Sequence, residues 1–142
     1  MWADSFLGAE QQHVLSLLLW AGLTVLTATV LAITLAAQHR VSPLLTRFAT
    51  LLAVCGLVVA IVAGIEWHGV HLRDVASATR VERLMWLRIG FDLGIVGMGS
   101  ILAVAGRAIA RRPAAIGAGM AIVVHGLALF AIDVQFASRV SR

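Results

Sequence analysis

"LMWLRIGFDLGIVGMGSILAVAG", Leu84 to Gly106, decides the class of this protein. The stretch is apolar over slightly more than the ~20 residues that span bilayer hydrocarbon. It nevertheless carries Arg88 and Asp92, four apart and so on one helical face, and glycines at 90, 94, 97 and 99. Three more apolar runs of similar length lie to either side of it, so the chain divides into spans at 14–37, 43–67, 84–105 and 114–137. Of its 142 residues, 61% are hydrophobic and 13% charged. Soluble domains carry about 25% charged residues, and a chain this short cannot hide so much apolar surface in water. The sequence predicts an all-α integral membrane bundle, a single membrane domain over 1–142 with four transmembrane helices in two helix hairpins. No basic region precedes the first run, which is also too long for a signal-peptide core, so it reads as a retained helix. Ahead of it, residues 2–12 read as a short amphipathic lead-in, with Trp2, Phe6 and Leu7 at the membrane interface and Asp4 and Glu10 in water.

The links differ in length. "QHRVSP" places Ser42 as N-cap and Pro43 at the first position of the second helix, and "GRAIARRP" ends in Pro113 in the same way, so both are tight turns. Between them, "HGVHLRDVASATRVER" reads as the one long polar connection. Trp20 and Trp86, Arg40 and Arg107, Pro43 and Pro113, and Glu66 and Asp133 recur at offsets close to 67, the pattern of a repeated hairpin. Every basic residue is arginine. In a membrane protein this basic excess sets orientation; it does not point to nucleic acid. Arg40, Arg47, Arg107, Arg111 and Arg112 lie at the turn end, against Arg73, Arg80, Arg83, Arg139 and Arg142 at the other. The first helix breaks this tie: acids precede it and arginines follow it. The expected location is a bacterial cytoplasmic (inner) membrane, with both turns inside and both termini outside.

The intramembrane ions set the candidate site. Arg88 and Asp92 are expected to pair, and Asp92 to meet His125 or Asp133 across a helix interface. Small residues let membrane helices approach, so Gly90, Gly94 and Gly97 on the third helix and Gly56, Ala60 and Gly64 on the second are the expected packing positions. "EWHGVH" offers Glu66, His68 and His71 as weak metal ligands if the helix runs through Gly69, with His13 as a third imidazole. A haem would need two histidines at equal depth, and His125 is the only one well inside a span. Ser16, Thr24, Thr27 and Thr34 form a hydroxyl stripe expected to bond back to its own backbone. The lone Cys55 excludes an intrachain disulfide. No nucleophile triad or phosphate loop is present, so no enzymatic activity is expected. The leading reading is a non-catalytic small membrane subunit that packs through these Gly/Ala helix faces in a homo-oligomer or a larger membrane complex, its partners being the bilayer and either copies of itself or other membrane subunits. The alternatives are a proton-coupled transporter or channel module, and a haem- or metal-binding redox subunit.

Overall fold

The computed structural model describes residues 2–39, 41–71, 74–109 and 111–140. Four helices follow one another: α1 (Trp2–Ala37), α2 (Pro43–His68), α3 (Val75–Ala108) and α4 (Pro113–Val140), with no strand among the described residues. All four are long and apolar enough to cross a membrane. α1 packs on α2 and α3 on α4, giving the two expected hairpins, and α4 also packs on α1 and α2. α4 is therefore the axis of the molecule. Large apolar side chains such as Leu19, Ile65, Leu87 and Ile101 remain exposed, each at 68% or more, as they would on a lipid-facing surface.

The turns form as their residues dictate. Ser42 caps α2, its hydroxyl accepting from the Leu45 amide at 3.4 Å, and Pro43 follows at the first turn, where a missing N–H does no harm. Pro113 opens α4 in the same way. Each turn also holds one non-glycine residue in the left-handed region, His39 (φ 48°) and Arg111 (φ 46°). Arg40, Arg73 and Arg142, three of the arginines used for orientation, lie outside the described residues.

Two expected boundaries are corrected. The lead-in is no separate interfacial segment, because α1 runs unbroken from Trp2 and Phe6 packs against α4; the side chain of Trp2 is outside what the structure describes. Phe6 is buried with its ring 6.3 Å from that of Phe136, edge to face. Nor is "DVASATRVER" a loop. Asp74 caps α3 by accepting from the Ser77 amide at 2.9 Å, and α3 starts nine residues before Leu84, so the long connection shrinks to 69–74.

The expected packing positions divide between contacts within the chain and positions open at its surface. Gly56 packs as expected: a Cβ there would sit 3.1 Å from the Ala21 carbonyl oxygen and would also strike Thr24. Ala60 joins the α1/α2 core around Leu17 and Ala63. Gly64, Gly90, Gly94 and Gly97, in contrast, have open space where a Cβ would stand. The α3/α4 seam is made by other glycines. A Cβ on Gly99 would lie 2.9 Å from the Gly119 carbonyl oxygen, one on Gly106 2.9 Å from the Ala115 Cβ, and one on Gly126 2.9 Å from Val96. Helical geometry gives the reason. Burying Ile89 and Asp92 against α4 leaves Gly90 and Gly94 about 200° from Asp92, and Gly97 about 140° from it, at 3.6 residues per turn. The inward positions of α3 run 85, 89, 92, 96, 99, 103, 106, alternating steps of four and three, which is the spacing of a coiled-coil seam.

Candidate functional site: a buried ion cluster

One polar centre draws on all four helices. Arg88 of α3 donates through Nη1 to Glu66 Oε1 of α2 at 2.7 Å and forms an ion pair with Asp133 of α4, its Nε 2.9 Å from Oδ2. His13 of α1 stands against the other oxygen of that carboxylate, Nε2 to Oδ1 3.5 Å, with its ring 4.7 Å from that of Phe136. Asp92, one turn below Arg88, lies close enough to Asp133 for the two carboxyl groups to act on each other electrostatically. Asp133 is 0% exposed, Asp92 2% and His13 6%. Such groups are tolerated in a membrane only when they face protein and one another, as they do here.

The helices place these groups by register. Glu66 sits in the last turn of α2, Asp133 two turns before the end of α4, and His13 where α1 enters its apolar run, so the three arrive at similar depth at the end of the bundle that holds Trp2 and Val140. Arg88 reaches them because its long stem extends along apolar surface toward that end. A cleft of about 300 Å³ opens onto the cluster, lined by Glu10, His13, Glu66 and Arg88 on its polar side and by Met85 and Phe136 among its apolar walls. Next to it, Arg139 donates to Gln12, tying the ends of α4 and α1 together.

Of the expected network, Arg88, Asp92 and Asp133 come together and His125 does not. Arg88 takes Glu66 as hydrogen-bond partner and Asp133 as ion-pair partner in place of Asp92, because Asp92 lies on the α4-facing seam while the Arg88 head extends across to α2. His125 lies about 12 Å along α4 from Asp133, at eight residues of helical rise. It is buried there, and its Nδ1 accepts from the Trp20 indole N–H at 3.3 Å. Trp20 was legible only as a landmark of the hairpin repeat, and Glu10 only as a surface acid. Glu66 was read as a metal ligand, yet it is the twin of Asp133 in the hairpin repeat, and both end on Arg88.

The metal candidates separate. α2 stops at His68, so His68 and His71 share no helical face; both are exposed, and His71 Nδ1 lies 2.6 Å from the Gly69 carbonyl oxygen. His13 and Glu66 line the cleft instead. Among the described residues no group of three or more His, Cys, Asp and Glu side chains is arranged to hold a metal ion. A bis-histidine haem finds no support either, since His125 has the Trp20 indole at its Nδ1. Three of the four hydroxyls of the stripe bond to their own helix as expected: Ser16 to the Gln12 carbonyl, Thr24 to Ala21 and Thr34 to Val30, at 2.8–2.9 Å.

No curated protein and no solved structure matches the chain. A family model described as a family of unknown function, DUF6992, does match, over residues 16–134. That span holds Glu66, Arg88, Asp92 and Asp133, and the chain belongs to this family.

Proposed function

We propose that this protein is a non-catalytic integral membrane subunit that seats another transmembrane helix on the outer glycine face of α3. The observation that carries this reading is the stripe Gly90, Gly94 and Gly97, which faces open space between Leu87 (73% exposed) and Ile101 (70%). Lipid gives apolar helices no hydrophobic reason to associate, so small residues that admit a second backbone supply the contact. Inside the chain, Gly99 and Gly106 of the same helix already serve in this way. The occupant is a second copy of the chain or a helix of a larger complex. Gly94→Ile is expected to shift the protein in mild detergent from an assembled to a monomeric elution position with the helical content unchanged. An unchanged elution position counts against the reading.

The same proposal places the protein in a cytoplasmic membrane with both turns inside, supported by Arg47, Arg107, Arg111 and Arg112 at the turn end and by the acids ahead of the first span. A second reading, a proton-coupled transport module, is favoured by one observation, the convergence of titratable side chains from four helices on an open cleft. Proton flux in liposomes that Asp92→Asn abolishes would displace the first reading.

A further inference from the structure

We infer that the groove between α1 and α2 at the turn end of the bundle is a binding site for an anionic phospholipid, with one acyl chain lying between the helices and the phosphate meeting basic groups at the groove's mouth. This inference stands apart from helix docking on α3, because it concerns the other hairpin and the leaflet around the turns, whichever side that is.

The shape of the groove selects the occupant. At Gly56, where any Cβ would strike Thr24, α1 and α2 are in close contact. From there toward the turn the pair leaves a groove of about 690 Å³, walled by Ala28, Ala32 and Ala36 on one side and Ala49 and Ala53 on the other. Along α1 its lining runs from Ala28 to His39, about 16 Å at the helical rise per residue. That is close to half of the ~30 Å hydrocarbon thickness, the depth of one leaflet. A transmembrane helix needs a seat through the whole span; an acyl chain needs half of it. The middle of the groove is also poor in donors. Thr29 gives its hydroxyl proton to the Val25 carbonyl and Thr50 gives its own to the Thr46 carbonyl, each at 2.8 Å. A polar solute finds little to bond there, whereas a hydrocarbon chain loses nothing.

The mouth has a different character. His39 and Thr46 line it, and Arg47, exposed, follows Thr46 on α2. The long arginine stem brings the guanidinium to the level of the headgroups. No acid stands in the first turn of α2, and the sequence has no Asp or Glu between Glu10 and Glu66. A basic edge without acidic compensation, beside an apolar slot between two helices, complements a lipid phosphate. A zwitterionic headgroup carries its own cation to the same place and is held less strongly.

Native mass spectrometry of the whole protein in mild detergent tests this, with phosphatidylglycerol and phosphatidylcholine of identical chains offered at equal concentration. Phosphatidylglycerol should be retained about tenfold more, the scale of one or two basic side chains acting on an anionic headgroup. The comparison needs no substitution, so it is independent of any folding defect. Ala32→Trp, which fills the groove from an exposed position on α1, should abolish the preference with helical content unchanged. Arg47→Gln should reduce it about fivefold, the share of one basic group. Glycerol 3-phosphate, which carries a phosphate but no chain, should not displace the lipid. Equal retention of the two lipids by the parent overturns the site. A preference undiminished in Ala32→Trp, or displacement by glycerol 3-phosphate, overturns the groove as the seat of the chain, and one undiminished in Arg47→Gln overturns the headgroup contact. A parent that retains no lipid but forms a dimer that Ala32→Trp dissociates would give the groove to a second copy and overturn the inference.

Discussion

Arg88 holds the cluster together, and its removal should show this. Asp133 has no exposure to water, so losing the guanidinium leaves its charge without compensation inside the bundle. Breaking a buried pair from one side typically costs about 3–5 kcal/mol, and Arg88→Met should lose stability on that scale in denaturant titrations of the detergent-solubilised protein. Removing both partners is different. Arg88→Met with Asp133→Leu should be more stable than Arg88→Met alone, because Glu66 borders the cleft and can be hydrated there. A double variant worse than the single would show that Asp133 contributes something beyond its pairing. Asp74 makes a second case at this scale, and it lies outside the membrane spans. Hydrogen bonds from the Ser77 hydroxyl and amide hold its carboxyl below the usual carboxylate range. With the folded value depressed, the cap's contribution is complete above the ordinary carboxylate pKa and is lost as pH falls through the lowered one. Amide exchange at Ser77 and Ala78 should therefore be protected at neutral pH more than its own chemistry explains. That protection should fall in acid, and in Asp74→Ala it should be low throughout.

Among the elements, α3 carries two glycine faces with opposite roles, and substitution separates them. A Cβ at Gly99 meets the Gly119 carbonyl oxygen, the Val123 amide nitrogen and the Ile122 Cγ2, each at 2.9 Å, and the two backbone atoms cannot swing aside. Gly99→Ala should cost about 1–3 kcal/mol, the range for overpacking a tight contact. A Cβ at Gly94 meets nothing within 4 Å. Gly94→Ala should leave the monomer's stability unchanged or raise it by up to about 1 kcal/mol, the helix propensity of alanine over glycine. Thermal unfolding of the two variants side by side measures the contrast; equal losses would mean that both faces are filled within one chain. The turns and the caps were readable locally: Ser42, Pro43 and Pro113 act within a few residues of themselves. The start of α3 was equally local, written in Asp74 and in the helix-forming residues after it. A reading led by hydropathy passed over that signal because Arg80, Glu82 and Arg83 interrupt the apolar run.

For the whole molecule, the arginine distribution predicts a topology that reporters can check. An alkaline phosphatase fused after Arg142 should be active, and a fluorescent protein that matures only in the cytoplasm should be dark there. The reverse pair of outcomes would invert the bundle and put the cleft on the cytoplasmic side. In either orientation the cleft lies at the end of the bundle that holds Trp2 and Val140, so the side to which it opens follows from the same experiment.

The sequence alone determined that four helices cross a membrane as two hairpins, because span length and apolarity are properties of each segment by itself. It also marked the ions that matter, since Arg88, Asp92 and Asp133 are conspicuous in an apolar chain whatever surrounds them. Only the tertiary structure decided which way each helix is rotated. A helix that is apolar nearly all round has little amphipathic pattern to tell its protein face from its lipid face. The rotation therefore came from contacts with distant segments: Gly99 against Gly119, Phe6 and His13 against Phe136, Arg88 between Glu66 and Asp133. That rotation turned the expected Arg88–Asp92 pair into a cluster spanning four helices, and it set the Gly90, Gly94 and Gly97 face of α3 away from the chain's own core.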